Sequence, residues 1–250
     1  MKNNDLKKIS FVIPVFNEEG NILPLFSEIT GVMKKIALPC EIIFVNDGST
    51  DSSPSILKNL SAKSRLVRVI TLIRNSGQSA ALAAGFRNVT GDVTITMDAD
   101  LQNDPNDIPA MLEHYGKYDM VTGWRFNRRD NIGKRISSKI GNSVRNFLTA
   151  EHIHDTGCSL KVMRSSILKE IKIYKGLHRF LPTLFRIEGG SVIEVKVNHR
   201  PRLNGYSKYT NLKRGIEGLH DLMAVRWMMS RSIADRINES NCKVEHWTGK

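Results

Sequence analysis

Asp98 and Asp100 close an apolar run, Asp92-Val-Thr-Ile-Thr-Met-Asp-Ala-Asp-Leu-Gln102. Val93, Ile95 and Met97 alternate with Thr94 and Thr96, the period-two pattern of a strand, and Asp104-Pro105 marks the loop that follows. Side chains at i and i+2 of a strand share a face, so the spacing predicts two carboxylates pointing the same way. Carboxylates held close repel each other unless a proton or a cation lies between them. Mg²⁺ or Mn²⁺, which takes one or two carboxylates plus substrate phosphate oxygens, is the natural neutraliser. An isolated Asp-x-Asp is short and common, and a solvated acidic strand end reads the same way. Its surroundings decide.

Four strands and three helices alternate up to this point. Strands are expected over 9–15, 40–45, 67–73 and 92–97, with helices over 21–35, 52–62 and 79–88. Helical crossovers of this length imply right-handed βαβ units and a largely parallel sheet with helices on both faces. Such sheets bind ligands beyond the carboxyl ends of their strands. Asn17-Glu18, Asp47, Asn75 to Gln78 and Asp98 to Gln102 all fall at those ends, so they converge on one edge. Asn46 and Ser49 also read as turn and cap residues, and Glu18 and Glu19 as anions favouring the next helix start.

Composition narrows the class. The chain has 250 residues, 40% of them hydrophobic, enough for one large core or two small ones. Its formal charge of +12 suits phosphorylated substrates, anionic membranes or nucleic acid. No apolar run approaches the ~20 residues of a membrane span, and the N-terminal stretch lacks the apolar segment of a secretory signal. Cys40, Cys158 and Cys242, odd in number and widely spaced, point to a reducing compartment rather than a disulfide framework. The dinucleotide fingerprint and the P-loop are both absent, so phosphates must be neutralised without a glycine cradle.

Five blocks then occur in order: Phe-Val-Ile-Pro-Val-Phe-Asn-Glu-Glu19, Val-Asn-Asp-Gly-Ser-Thr-Asp51, Arg-Asn-Ser-Gly-Gln78, Met-Asp-Ala-Asp-Leu-Gln102 and Arg-Pro-Arg-Leu-Asn-Gly-Tyr-Ser-Lys-Tyr209. Together they resemble glycosyltransferase family 2, of GT-A fold, in its dolichol- or polyprenyl-phosphate branch, from about residue 9 to 231. The resemblance implies a Rossmann-like α/β fold, a mostly parallel central sheet flanked by helices, with an amphipathic C-terminal helix. It implies that Pro14, Phe16, Glu18, Asp47, Gln78 and Asp98 hold the nucleotide-sugar, that Asp98, Asp100 and Gln102 hold Mg²⁺ or Mn²⁺, and that Asp100 and Asp155 serve catalysis. Arg125, Arg135, Arg202, Ser207 and Lys208 are implied to bind the acceptor phosphate or the departing diphosphate. Where relatives often carry an acidic pair before Gly-Ser, this chain has Asn46-Asp47, leaving the base of the donor open between guanosine and uridine.

The second part of the chain is less regular and more basic. A strand is expected over 118–123, and a helix over 134–148 with Ile136, Ile140, Val144 and Phe147 on one face. His152 and His154 have no second ligand pair at zinc-site spacing and are read as structural. Leu212, Ile216, Leu219, Met223 and Trp227 form one stripe over 211–230; such stripes more often face a core, while Trp227-Met228-Met229 beside Arg226 also suits a lipid headgroup region. The expected organisation is one domain over 1–231, with a nucleotide-sugar half at 9–123 and an acceptor half at 124–231 that carries an interfacial helix over 211–230, then a polar tail at 232–250.

These readings lead to an inverting, metal-dependent transferase, moving a sugar from a nucleotide-sugar to a polyprenyl phosphate. It is expected in the cytoplasm, peripheral at the membrane face, docking by itself or on a membrane-embedded partner. A relative acting on a glycan hydroxyl is the alternative. A basic nucleic-acid-binding protein is the distant one, its aromatic-interleaved segments and zinc knuckles being absent.

Overall fold

The computed structural model describes residues 6–126, 143–149, 151–201 and 211–232, with backbone alone at 211–216. The first half is the expected alternation: β1 (Ile9–Val15), α1 (Ile22–Ile36), β2 (Cys40–Asn46), α2 (Ser53–Lys63), β3 (Val67–Thr71), α3 (Gln78–Phe86) and β4 (Val93–Thr96). Then come α4 (Ile108–Leu112), β5 (Met120–Arg125), a helix α5 at 143–149, β6 (Lys161–Arg164) and α6 (Ser165–Glu170). A 3₁₀ turn at Leu177–Phe180 leads into α7 (Leu181–Ile187), β7 (Val192–Val197) and α8 (Asn211–Arg231).

The strands form one sheet in the order β3-β2-β1-β4-β6-β5-β7. β1 pairs in parallel with β2 and β4, and β5 with β7, while β6 runs antiparallel to both of its neighbours. Alternation along β1 sorts the core into two layers. Ile9, Phe11, Ile13 and Val15 pack with Leu25 and Ile29 of α1 and Met111 of α4, whereas Val12 faces α3 and the α6–α8 side. Gly85 lets α3 lie close on that side, since a Cβ there would come within 2.3 Å of Val12 Cγ1.

One expectation changes. β4 stops at Thr96, so Asp98 and Asp100 lie in the loop beyond it, and strand parity does not align them. Just after them the chain turns at Leu101, whose φ of 62° is left-handed. That conformation is costly for a side chain bearing a Cβ, and burial of Leu101 in the first core layer offsets it.

The helix expected over 134–148 is described only at 143–149, with Ile136 and Ile140 outside the described residues. Val144 and Phe147 point outward, Phe147 being 85% exposed, while Arg145 and Thr149 are buried. Arg145 turns inward because the following segment offers acceptors: it donates to the Ile153 carbonyl at 2.7 Å and to the Thr156 hydroxyl.

α8 is the expected amphipathic helix, and the part of its stripe formed by Leu219, Met223 and Trp227 faces outward. Leu222 and Val225 are buried, and Met228 and Met229 pack partly against the body, whereas Leu219, Met223 and Trp227 are 54%, 61% and 64% exposed. Among the described residues no helix is long and apolar enough to cross a membrane.

Candidate active site

At the carboxyl edge of β1, β2 and β4 a cleft of about 740 Å³ opens. Pro14, Phe16, Glu18, Asp47, Gln78, Asp98, Asp100, Gln102, Arg125 and Asp155 all line it. The structure thus brings together ten of the fourteen site residues expected from sequence. Arg135, Arg202, Ser207 and Lys208 lie outside the described residues.

Asp47, at the end of β2, is a buried anchor. Its Oδ1 accepts the Ser76 N–H at 2.7 Å and its Oδ2 the Gly77 N–H at 2.8 Å, while Asn75 Nδ2 reaches Oδ2 at 3.2 Å. One carboxylate therefore shapes the 75–77 loop that starts α3 and delivers Gln78. Gly48, at φ 68°, lets that loop lie flush on β2, because a Cβ there would stand 2.5 Å from the Asn75 nitrogen. Asn46 and Ser49 are turn residues: Ser49 N donates to Asn46 Oδ1 at 3.0 Å, and Ser49 Oγ accepts from Asn17 N at 3.0 Å. Glu18 and Glu19 divide their work between two helices. Glu18 Oε2 takes the Asn21 side-chain amide at 2.6 Å at the start of α1, and Glu19 Oε2 accepts the Ser52 N–H at 2.8 Å at the start of α2.

Gln78 donates to Asp98 Oδ1 at 2.8 Å, joining the α3 start to the acidic loop. Asp100 is buried, and its Oδ1 accepts the Gln102 N–H at 3.2 Å. Enclosure by protein, and then the charge of Asp100, push the Asp98 carboxyl up to about 6 against the opposing pull of Ser159, Arg125 and Lys161. A site that penalises its own anion in this way has room for a positive charge. Among the described residues no group of three or more His, Cys, Asp or Glu is placed to hold a metal ion together. A cation here would rest on two carboxylates, with ligand oxygens and water completing its shell, and that donor set fits Mg²⁺ or Mn²⁺.

Across the cleft, Arg125 at the end of β5 meets Asp155 side-on, Nε to Oδ2 at 2.7 Å and Nη2 to Oδ1 at 2.9 Å. Burial opposes the charge on both, but their mutual contact prevails, raising Arg125 and holding Asp155 below the usual carboxylate range. Sequence reasoning missed the groups that support this wall. Lys161, the first residue of β6, is buried and donates its ammonium to the carbonyls of Cys158 and Thr156. Burial lowers its pKa first of all. Its signal was the Lys of Asp-Thr-Gly-Cys-Ser-Leu-Lys161, but a lone lysine is ordinarily taken as solvated. Ser159 donates to Asn103 Oδ1 at 2.7 Å. His178 Nδ1 lies 2.6 Å from Ser79 Oγ, and Arg179 donates to Asp221 of α8 at 3.1 Å, tying that helix to the cleft rim. His154 Nδ1 lies 2.9 Å from Glu194, and its ring stacks on Trp124 at 4.3 Å.

Residues 10–172 match the sequence model of the family described as Glycosyl transferase family 2. The chain belongs to glycosyltransferase family 2. This family 2 chain is 36% identical over 228 residues to the dodecaprenyl-phosphate galacturonate synthase of Rhizobium johnstonii, covering 89% of the chain and 67% of that relative. It is 38% identical over 226 residues to the undecaprenyl-phosphate 4-deoxy-4-formamido-L-arabinose transferase of Aeromonas hydrophila, covering 89% and 69%. Its fold is shared with glucosyl-3-phosphoglycerate synthase of Mycobacterium tuberculosis, solved with Mn²⁺, uridine diphosphate and phosphoglyceric acid. That likeness has a TM-score of 0.65 at 16% identity and spans 92% of this chain and 80% of the other. The glycosyltransferase thus has the GT-A, Rossmann-like architecture that the ordered sequence blocks implied.

Proposed function

We propose that the chain is an inverting transferase that moves a sugar from a nucleotide-sugar to a polyprenyl phosphate at a membrane surface. The observation that carries this reading is one cleft lined together by Pro14, Phe16, Glu18, Asp47 and Gln78, by the carboxylates of Asp98 and Asp100, and by Arg125. The names of the two relatives, both acting with polyprenyl phosphates, supply the acceptor class. Residues 9–123 make the donor half and 124–231 the acceptor half of one domain over 1–231.

In this reading Pro14, Phe16, Glu18, Asp47 and Gln78 receive the nucleotide. Asp98, Asp100 and Gln102 hold Mg²⁺ or Mn²⁺, which when bound offsets charge on the departing diphosphate. Arg125, whose Nε and Nη2 are taken by Asp155, offers its remaining N–H groups to phosphate oxygens, and Arg135, Arg202, Ser207 and Lys208 are assigned to the same anions by the family resemblance. A phosphate monoester has a second pKa of about 6, so near neutrality it is already a strong anion and needs aiming more than deprotonation. Asp155 suits that economy: engaged by Arg125 and held ionised, it is a weak base but a firm brace.

Docking to lipid is assigned to the outward face of α8, where Leu219, Met223 and Trp227 project. The test is a screen of GDP- and UDP-sugars that detects released nucleoside diphosphate, with polyprenyl phosphate or a soluble glycan as acceptor. Release driven by polyprenyl phosphate supports the proposal. Release driven only by the glycan replaces it with a hydroxyl-acceptor enzyme.

A further inference from the structure

We infer that Glu194 is a positioning residue for transfer: its carboxylate fixes the backbone of His154 and Asp155, and through Asp155 it aims Arg125 into the cleft. The inference rests on the role proposed above for Arg125. Glu194 sits on β7 with its side chain only 10% exposed. Its Oε2 accepts the His154 N–H at 2.7 Å and its Oε1 the Asp155 N–H at 2.8 Å. Two consecutive backbone donors directed at one anion form the kind of nest that commonly receives phosphate. Here the chain supplies the anion itself, and so settles where residue 155 lies.

From that fixed point two straps lead to the cleft wall. Asp155 holds the Arg125 guanidinium through both oxygens, and its Oδ2 also accepts the Arg125 N–H at 3.3 Å. His154, whose Nδ1 is 2.9 Å from Glu194 Oε2, stacks on Trp124, the residue before Arg125. The β5–β7 register pairs Thr122 with Glu194 and Trp124 with Lys196, which places Glu194 on the sheet face that carries Trp124. Lys196 lies 5.6 Å from the centre of the Trp124 ring and adds a further contact on that face. Backbone and side chain of β5 are thus both set from one carboxylate that stays clear of the cleft lining. Glutamine cannot replace it, because an amide has one accepting oxygen and would turn an NH₂ toward an N–H donor.

A purely structural strut would affect folding without acting through Asp155, and a double-mutant cycle separates the two roles. Glu194→Gln is expected to lower kcat for transfer roughly tenfold while leaving KM for the nucleotide-sugar within about twofold. In an Asp155→Asn background the same substitution is expected to cost almost nothing more. Losses that multiply, or a Glu194→Gln enzyme as fast as wild type, would overturn the inference. Should Glu194→Gln fail to fold, Glu194→Asp carries the same cycle, since it keeps the charge but is too short to hold both bonds.

A second readout needs no acceptor. With Trp227→Phe and Trp247→Phe as background, Trp124 is the one tryptophan left of three. Its emission is expected to change in Glu194→Gln as His154 loses its anchor, and unchanged emission overturns the inference. A wild type inactive with every polyprenyl phosphate would overturn the proposed acceptor instead, and the Trp124 signal would still decide whether Glu194 sets this wall.

Discussion

Arg125 and Asp155 are joined by two parallel contacts of 2.7 and 2.9 Å, with only 15% and 13% of their side chains exposed. Removing one member of so enclosed a pair strands the other's charge. Asp155→Asn should therefore lower stability by on the order of 3 kcal/mol. Transfer should fall at least about a hundredfold, because the guanidinium loses its orientation. Thermal melting and turnover measured on the same preparation check both, and wild-type turnover in a folded Asp155→Asn protein would contradict the brace.

The acidic loop makes a separate prediction. Chelation should abolish transfer, Mg²⁺ or Mn²⁺ should restore it, and Asp100→Asn should stay folded while becoming far slower. Undiminished turnover in excess chelator would show that Asp98 and Asp100 do their work without a metal.

Far from the cleft, Glu41 provides a stability test that should spare activity. It is buried at the amino edge of the sheet, where it accepts Ser10 Oγ at 2.6 Å, Thr90 N and Oγ1 at 2.8 and 2.7 Å, and Arg68 Nη1 at 2.9 Å. Burial alone would raise its pKa, but these donors outweigh it and lower the group from 4.5 to about 2. A depressed carboxyl contributes stability that is present above pH 4.5 and is lost as pH falls through about 2. Wild type should lose on the order of 3 kcal/mol across that window from this group. Glu41→Gln should be less stable at neutrality and flatter on the acid side, with unchanged kcat. Parallel denaturation curves for the two proteins from pH 5 to 2 would refute the assignment.

For the membrane, the exposed face of α8 refines which residues matter. Arg125 is engaged with Asp155, and Arg200 is held by Glu28 and Asp104, so neither is spare charge for lipid headgroups. Met228 packs inward. Co-sedimentation with anionic vesicles should be partly salt-resistant, and Met223→Ala with Trp227→Ala should weaken that resistant part while sparing nucleotide binding. A wild type that ignores anionic vesicles would point to a membrane-embedded partner.

The donor half was legible because long helices and almost wholly buried strands announce themselves by period, as with Ile9–Val15 and Cys40–Asn46. Segment ends were less so: β3 stops at Thr71, leaving Ile73 fully exposed, because an apolar residue past a strand end looks like its continuation. β6 has four residues and β7 is a half-buried edge strand, too short and too mixed to stand out. At the site, the nearness of Asp98 and Asp100 was readable, but the left-handed turn at Leu101 that follows them was not. Glu194 and Lys161 escaped notice because their importance depends on backbone groups brought close from distant segments. The apolar stripe of α8 was readable as a period, but a period alone does not say which surface the stripe faces.

The place of β4 in the sheet also carries a consequence for the order of folding. β1, β2 and β3 pair with their neighbours in sequence, whereas β4 must find both partners at a distance, β1 from the start of the chain and β6 from beyond β5. Closing those long loops costs entropy before their contacts form. During refolding, the β1–β2–β3 edge should therefore form before β4 is seated, and Trp124, on β5 beyond β4, would report only the later event.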